Sequence, residues 1–286
     1  MTAHERGLNP AELVPFSWSR LVSPEWRTSS RKNGMEWCRL LGQEGEVYEP
    51  LKEEPALFKI FAALDETEDA FLDFARTFGT LEDGGGKKPR YGSAHPDDFF
   101  MWVSAKRVLA TAVGQWDGLK SGQASSVIQG MYETRPLGDM LGVYSCDSPM
   151  PWQDTVVDGL LWPARTPVIV MPTNSTERDI ARSLLRQALN RSLDSHHVSL
   201  SLVATPQVYG AGLRLTYNVD TLIAAMWLQF ALAVDGNRDY ATCVVCGKPW
   251  DRTDARSHKK VCSDKCRAKK SYQERQKAKS QLEGKG

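Results

Sequence analysis

No apolar run in this sequence is long enough to span a bilayer. The longest, Leu222–Val234, is interrupted by Gln229 and flanked by Asp220 and Asp235, and a membrane helix needs roughly 20 residues. The start, Met1-Thr-Ala-His-Glu-Arg-Gly, has no apolar stretch following a basic one. No secretory signal is therefore expected, and the protein is read as cytoplasmic. Nucleophile elbow, phosphate loop and dinucleotide fingerprint are all missing. The nearest approach to a phosphate loop, Gly84-Gly-Gly-Lys-Lys, lacks the Gly-Lys-Ser/Thr ending and a preceding apolar strand. Residues 82–96 read instead as a surface loop. A surplus of charge of either sign is missing too, the formal balance being +1. Disulfides are not expected in a reducing compartment. Of six cysteines, four crowd into positions 243–266, while Cys38 and Cys146 stand alone and read as small buried apolar groups.

What is present points to a globular chain. A hydrophobic share of 41% with 25% charged residues, nine tryptophans and nine phenylalanines is enough for a sizeable core. The sequence predicts an α+β fold in three parts. Residues 1–50 are rich in Pro, Trp and Ser without a sustained period and form an irregular segment of extended pieces and short strands. Residues 51–238 form a mainly helical globular domain, and residues 239–286 a small zinc finger ending in a basic helix.

Within the middle part, Leu57, Phe58, Ile60, Phe61 and Leu64 carry a helical period over about 54–64. Thr67 is placed to cap a second helix with Phe71, Phe74 and Phe78 inward, ended by Gly79. Asp97 or Asp98 caps a long helix to about residue 119. Residues 120–174 look irregular apart from a strand at 166–171. Thr176 and Asp179 form a capping box before a helix to about residue 193. The alternating stretches 198–204 and 213–217 predict a β-hairpin. A nearly all-apolar helix then runs over 220–234.

The chemistry sits at the end of the chain. Cys243-x2-Cys246-x15-Cys262-x3-Cys266 pairs four thiols at the spacing of a structural zinc site. Gly247, after the first pair, supplies the permissive backbone of a metal-binding knuckle. Ser263 is a good N-cap, and Cys262 and Cys266, four apart, share the face of a first helical turn. Four cysteines complete the shell, so His258 has no vacancy to fill and a catalytic Zn2+ is not expected.

Beyond Cys266 strong helix formers dominate without an apolar stripe. From Ala241 to Gly286 the chain has 13 Lys and Arg against 5 Asp and Glu, a balance of +8, whereas residues 1–240 carry 23 against 30, a balance of −7. Such asymmetry suggests a basic arm for an anionic partner. The candidate phosphate contacts are Arg267, Lys269, Lys270, Arg275, Lys277 and Lys279, with Arg256, Lys259 and Lys260 on the zinc loop.

Cys243-x2-Cys246-Gly247, a basic loop and Cys262-Ser263-x-x-Cys266-Arg267 with a basic helix resemble small treble-clef or ribbon-like zinc fingers of bacteria. The nearest group is the CGNR-type zinc finger, found at the C-terminus of bacterial regulator-like proteins. The signature itself reads Cys266-Arg-Ala-Lys here. Leu57-Phe-Lys-Ile-Phe, Phe71 to Leu81, and the late hairpin and helix also look like the upstream part of such proteins. The resemblance implies a DNA-binding regulator.

Three readings follow. A nucleic-acid-binding protein, most simply of double-stranded DNA, would use the finger and basic helix. An interaction protein would dock the basic helix on an acidic protein, the zinc site being purely structural. An enzyme in residues 1–240 has the least support. His196 and His197 lack an evident nucleophile or carboxylate partner, and His95-Pro-Asp97-Asp98 reads as a helix cap.

Overall fold

The computed structural model describes residues 16–30, 36–82, 98–123, 132–137, 140–145, 155–157, 160–162, 169–205, 212–253, 255 and 259–283. The fold is α+β. Its first elements are the strands β1, Trp18–Ser30, and β2, Glu36–Tyr48, followed by the helices α1, Pro50–Glu53, α2, Leu57–Ala62, α3, Glu68–Phe78, and α4, Phe99–Ser121. Five short strands come next: β3, Tyr132–Leu137, β4, Met140–Ser145, β5, Thr155–Val157, β6, Leu160–Trp162, and β7, Ile169–Pro172. Then follow α5, Glu177–Ser195, β8, Ser199–Thr205, β9, Gly212–Asn218, and α6, Leu222–Asp235. The chain closes with β10, Tyr240–Thr242, β11, Pro249–Asp251, and α7, Asp264–Glu283. No helix among the described residues is long and apolar enough to cross a membrane.

The caps expected from the sequence are present. Thr67 Oγ1 accepts from the Ala70 N–H at 3.3 Å, and Asp98 Oδ1 from the Phe100 N–H at 2.8 Å. Thr176 and Asp179 exchange reciprocal bonds of 3.3 and 3.1 Å. The hairpin β8–β9 pairs Ser199 with Asn218 through Thr205 with Gly212, as the alternation predicts.

Two stretches differ from expectation. Residues 18–30 and 36–48 are not irregular pieces with short strands but an antiparallel pair of 13-residue strands. The register shifts between Ser19 and Leu21 and again between Val22 and Glu25, where Ser23 has φ of 49° and Pro24 falls in the strand. Such bulges accommodate a proline, which has no N–H for the ladder, and they break the period-two pattern. Residues 120–174 contain β3, β4 and β7 in one three-stranded antiparallel sheet, with β4 central, and the hairpin β5–β6.

Contacts group residues 1–107 with 196–286 in one unit and residues 108–195 in another. These divisions fall at positions that composition does not mark. In the second unit α5 turns Ile180, Ala181, Leu184, Leu185 and Leu189 inward, the apolar stripe its spacing predicts.

The first unit is built on aromatic packing. The Trp102 ring lies 5.4 Å from Phe71, 5.9 Å from Phe74, 6.0 Å from Phe61 and 6.1 Å from Trp26. Phe58 stacks on Phe230 at 5.2 Å, joining α2 to α6, whose Leu222–Phe230 segment is buried throughout. The end of α3 is pinned to the long hairpin. Trp18 Nε1 donates to the Thr80 carbonyl at 2.9 Å, and the Tyr48 hydroxyl to that of Phe78 at 2.7 Å. Gly79 stands between them at φ of 90°. A Cβ there would lie 2.1 Å from the Ser19 carbonyl oxygen, so only glycine allows this approach.

Gln229, the single polar interruption in α6, is 1% exposed. Its side-chain oxygen accepts from the Phe58 N–H at 3.2 Å, and its Nε2 donates to the Glu54 carbonyl at 2.9 Å. It thereby satisfies the Phe58 N–H, which the first turn of α2 leaves open. The same turn carries the finger. The Glu54 carboxylate pairs with Lys248 at 2.6 Å, the Pro55 carbonyl accepts from the Tyr240 hydroxyl at 3.3 Å, and the Tyr240 ring meets Phe58 edge-on at 5.4 Å.

Candidate metal centre and basic helix

The finger is assembled from a two-stranded ribbon, a knuckle and a helix. β10 pairs with β11, Tyr240 opposite Asp251. Between them the Gly247 N–H donates to the Cys243 carbonyl and the Cys243 N–H to that of Lys248, both at 2.9 Å. Gly247 adopts φ of 72°, the left-handed conformation this knuckle requires. The second cysteine pair opens α7. Ser263 Oγ accepts from the Cys266 N–H at 3.3 Å, the N-cap expected from its position.

These elements bring all four thiols together, with their sulfurs within 4.8 Å of one another. The Cys246–Cys262 separation is 3.7 Å and that of Cys262–Cys266 is 3.6 Å. A disulfide needs about 2.05 Å. A tetrahedron with metal–sulfur arms of about 2.3 Å has edges of about 3.8 Å. The cluster thus has the dimensions of a four-thiolate metal cage, and it lies close enough to hold a metal ion.

The thiols are unequal. Burial pushes the Cys243 thiol up, but the N–H groups of Cys246, Cys262 and Val245 outweigh it and bring it down to about 6. Burial pushes Cys262 up to about 12, the Ser263 hydroxyl opposing and the three neighbouring thiols reinforcing the rise. Four like charges at these separations cannot all form alone. A divalent cation at their centre would let them ionise together. Among the described residues the buried core of the finger is small: Cys243, Trp250, Val261 and Cys266, with Ala241, Val245, Ala255 and Cys262 packed against it.

The expected phosphate contacts divide by position. Arg267, Lys269, Lys270 and Arg275 stand on α7, which past Cys266 is exposed except at the partly buried Lys270. Lys277 and Lys279 belong to the same helix, but their side chains lie outside the described residues, as do Arg256 and His258 altogether. Arg267 pairs with Asp264 at 3.1 Å and Lys270 with Glu274 at 3.7 Å. Lys259 and Lys260 are on the loop before Cys262, with the Lys259 ammonium 4.8 Å from the centre of the Trp250 ring. Across from the loop, Arg267, Lys270, Ser271 and Glu274 line the other wall of a cleft of about 610 Å³ that also includes Val261. The helical spacing of those four is visible in the sequence, whereas the facing position of the loop is not.

No protein-family model, curated protein or solved structure matches the chain.

Of the remaining sequence candidates, Cys38 is half-buried, and Cys146 and His95 lie outside the described residues, as do residues 83–96 of the glycine-rich loop. Burial, with His197 beside it, pushes the His196 imidazole below its ordinary range. Asp98 is engaged as a helix cap.

Proposed function

We propose that residues 239–286 are a structural zinc finger that presents a basic helix to nucleic acid, most simply double-stranded DNA, as the resemblance to CGNR-type regulator proteins also implies. Zinc is favoured over other metals by an all-thiolate shell with tetrahedral edge lengths and no open position. In this site the ion would supply folding energy and neutralise thiolates. The observation that carries the nucleic-acid reading is α7 itself. Its described side chains after Cys266 are exposed except for the partly buried Lys270, so its basic side chains are not explained by packing against the rest of the protein. Phosphates are the partner such a surface fits. Phosphate contacts fix register without reading bases, so binding should be weak in sequence preference.

Two measurements test this reading. Protein prepared without chelator should carry one zinc per chain, and a content far below that sinks the metal assignment. Binding to a DNA duplex should fall with salt at a log–log slope of about −4 to −5, as for five or six neutralised phosphates. Replacing Lys269, Lys270, Arg275 and Lys277 with glutamine should flatten the slope by several units while zinc is retained. An unchanged slope, or no binding at low salt, would instead point to an acidic protein as the partner.

A further inference from the structure

The cations of the finger are not spread evenly. Lys259 and Lys260 come from the loop, and Arg267 and Lys270 from the helix, yet all four line one cleft with Val261, Ser271 and Glu274. Residues 267, 270, 271 and 274 follow the i, i+3, i+4, i+7 spacing of a single helix face. The opposite wall is fixed in place. The Lys260 carbonyl accepts from the Val244 N–H at 3.1 Å, Val261 is buried, and Lys259 rests against Trp250. Like charges held facing each other across an open space repel unless an anion sits between them.

We propose that this cleft is a seat for a phosphate ester. Lys259, Lys260, Arg267 and Lys270 surround the phosphate oxygens, and the Ser271 hydroxyl donates to one of them. The inference rests on the nucleic-acid reading and deepens it: of the five or six phosphates met along α7, the one at its first turns is gripped most tightly. The carboxylates nearby do not block it. Asp264 and Glu274 form exposed pairs with Arg267 and Lys270, and such pairs are weak and yield to a competing dianion or diester. A cleft of about 610 Å³ leaves room for a sugar on either side of the phosphate, which favours a backbone diester over free phosphate. Glu274 disfavours a second phosphate at its end of the cleft, so one phosphate is seated there.

The test uses the full-length, zinc-loaded protein, a labelled DNA duplex and inorganic pyrophosphate. The double variant Lys260→Gln/Lys270→Gln should weaken duplex binding about tenfold or more, whereas Arg275→Gln/Lys279→Gln, removing as many charges, should weaken it less than about threefold. Pyrophosphate should compete with the duplex on the parent protein. Glu274→Gln, which removes the one carboxylate among the described residues lining the cleft, should strengthen binding about threefold. Zinc content, measured for every variant, shows that the finger is intact. Equal losses from the two double variants, or no gain from Glu274→Gln, would overturn the seat while leaving nucleic-acid binding in place. Pyrophosphate binding that depends on Lys260 and Lys270, without any duplex binding, would uphold the seat for a free phosphate compound and overturn the nucleic-acid reading.

Discussion

Four aromatic rings lie 5.4 to 6.1 Å from the ring of Trp102 in the body of the first unit. In the finger attached to the same unit, the buried core is Cys243, Trp250, Val261 and Cys266, and the indole N–H of Trp250 finds no acceptor among the described residues. Among the described residues the first region has a large buried core to offset the entropy of ordering its chain, and the second a small one. A metal ion held by the four thiols would make up the difference in the finger. The joint between the two regions at residues 54–58 is polar at its edge, through Lys248 and Glu54, and aromatic at its centre, through Tyr240 and Phe58.

The largest expected effect separates the two regions. Removing the metal with a chelator, or replacing Cys262 with serine, should unfold residues 239–283, because binding a structural zinc contributes about 10 kcal/mol or more to folding a small finger. The body should stay folded. Hydrogen exchange resolved by segment checks this. Rapid exchange of α6 together with the finger would show that the aromatic core also depends on the ion.

The converse experiment attacks the body. Gly79→Ala places a methyl group against the Ser19 carbonyl at a positive φ, and should cost about 3 kcal/mol. Denaturant unfolding of this variant should shift the body transition while zinc content stays at the parent value. An unaffected midpoint would mean that the junction of β1 and α3 relaxes freely.

Acid offers a smaller and finer separation. Burial pushes the Asp251 carboxyl up, but the Thr253 hydroxyl and N–H and the Arg238 guanidinium outweigh it and hold its pKa below the ordinary 3.8. A carboxyl depressed in the folded state adds stability that is complete above its unfolded value. That stability is lost as pH falls through the folded value. Asp251→Asn should therefore lower finger stability by about 1 kcal/mol at neutral pH, and the difference from the parent should shrink as pH falls towards the folded-state value of Asp251. Thermal unfolding of both proteins across that range measures it, and a difference that persists in acid would assign the effect to lost packing.

The features legible in the sequence are those whose causes lie within a few residues. Ser263, Thr67 and the Thr176–Asp179 pair announce their helix ends because a cap is a local hydrogen bond. The cysteine spacing announces the cage because two pairs, each held by one turn, supply its corners. The long strand pair β1–β2 is hidden by the register shifts around Ser23 and Pro24, which erase the alternation that identifies a strand. Gln229 read as a flaw in an apolar helix, since its partners at Glu54 and Phe58 are more than 170 residues away. The basic cleft shares that difficulty. Four of its seven lining residues follow from helical spacing, and the other three depend on how the loop before Cys262 is folded back.

The first turn of α7 has a consequence for the whole helix. A 20-residue segment with no apolar face is only marginally helical by itself, because forming the first turn fixes several residues for a single hydrogen bond. Cys262 and Cys266 bracket that turn, so an ion joining them would act as the nucleus from which helical order propagates. The segment then behaves as a helix–coil polymer with one end clamped: order should be greatest near Cys266 and fray progressively towards Glu283. Loss of the ion would be felt as coil along roughly 30 Å of helix.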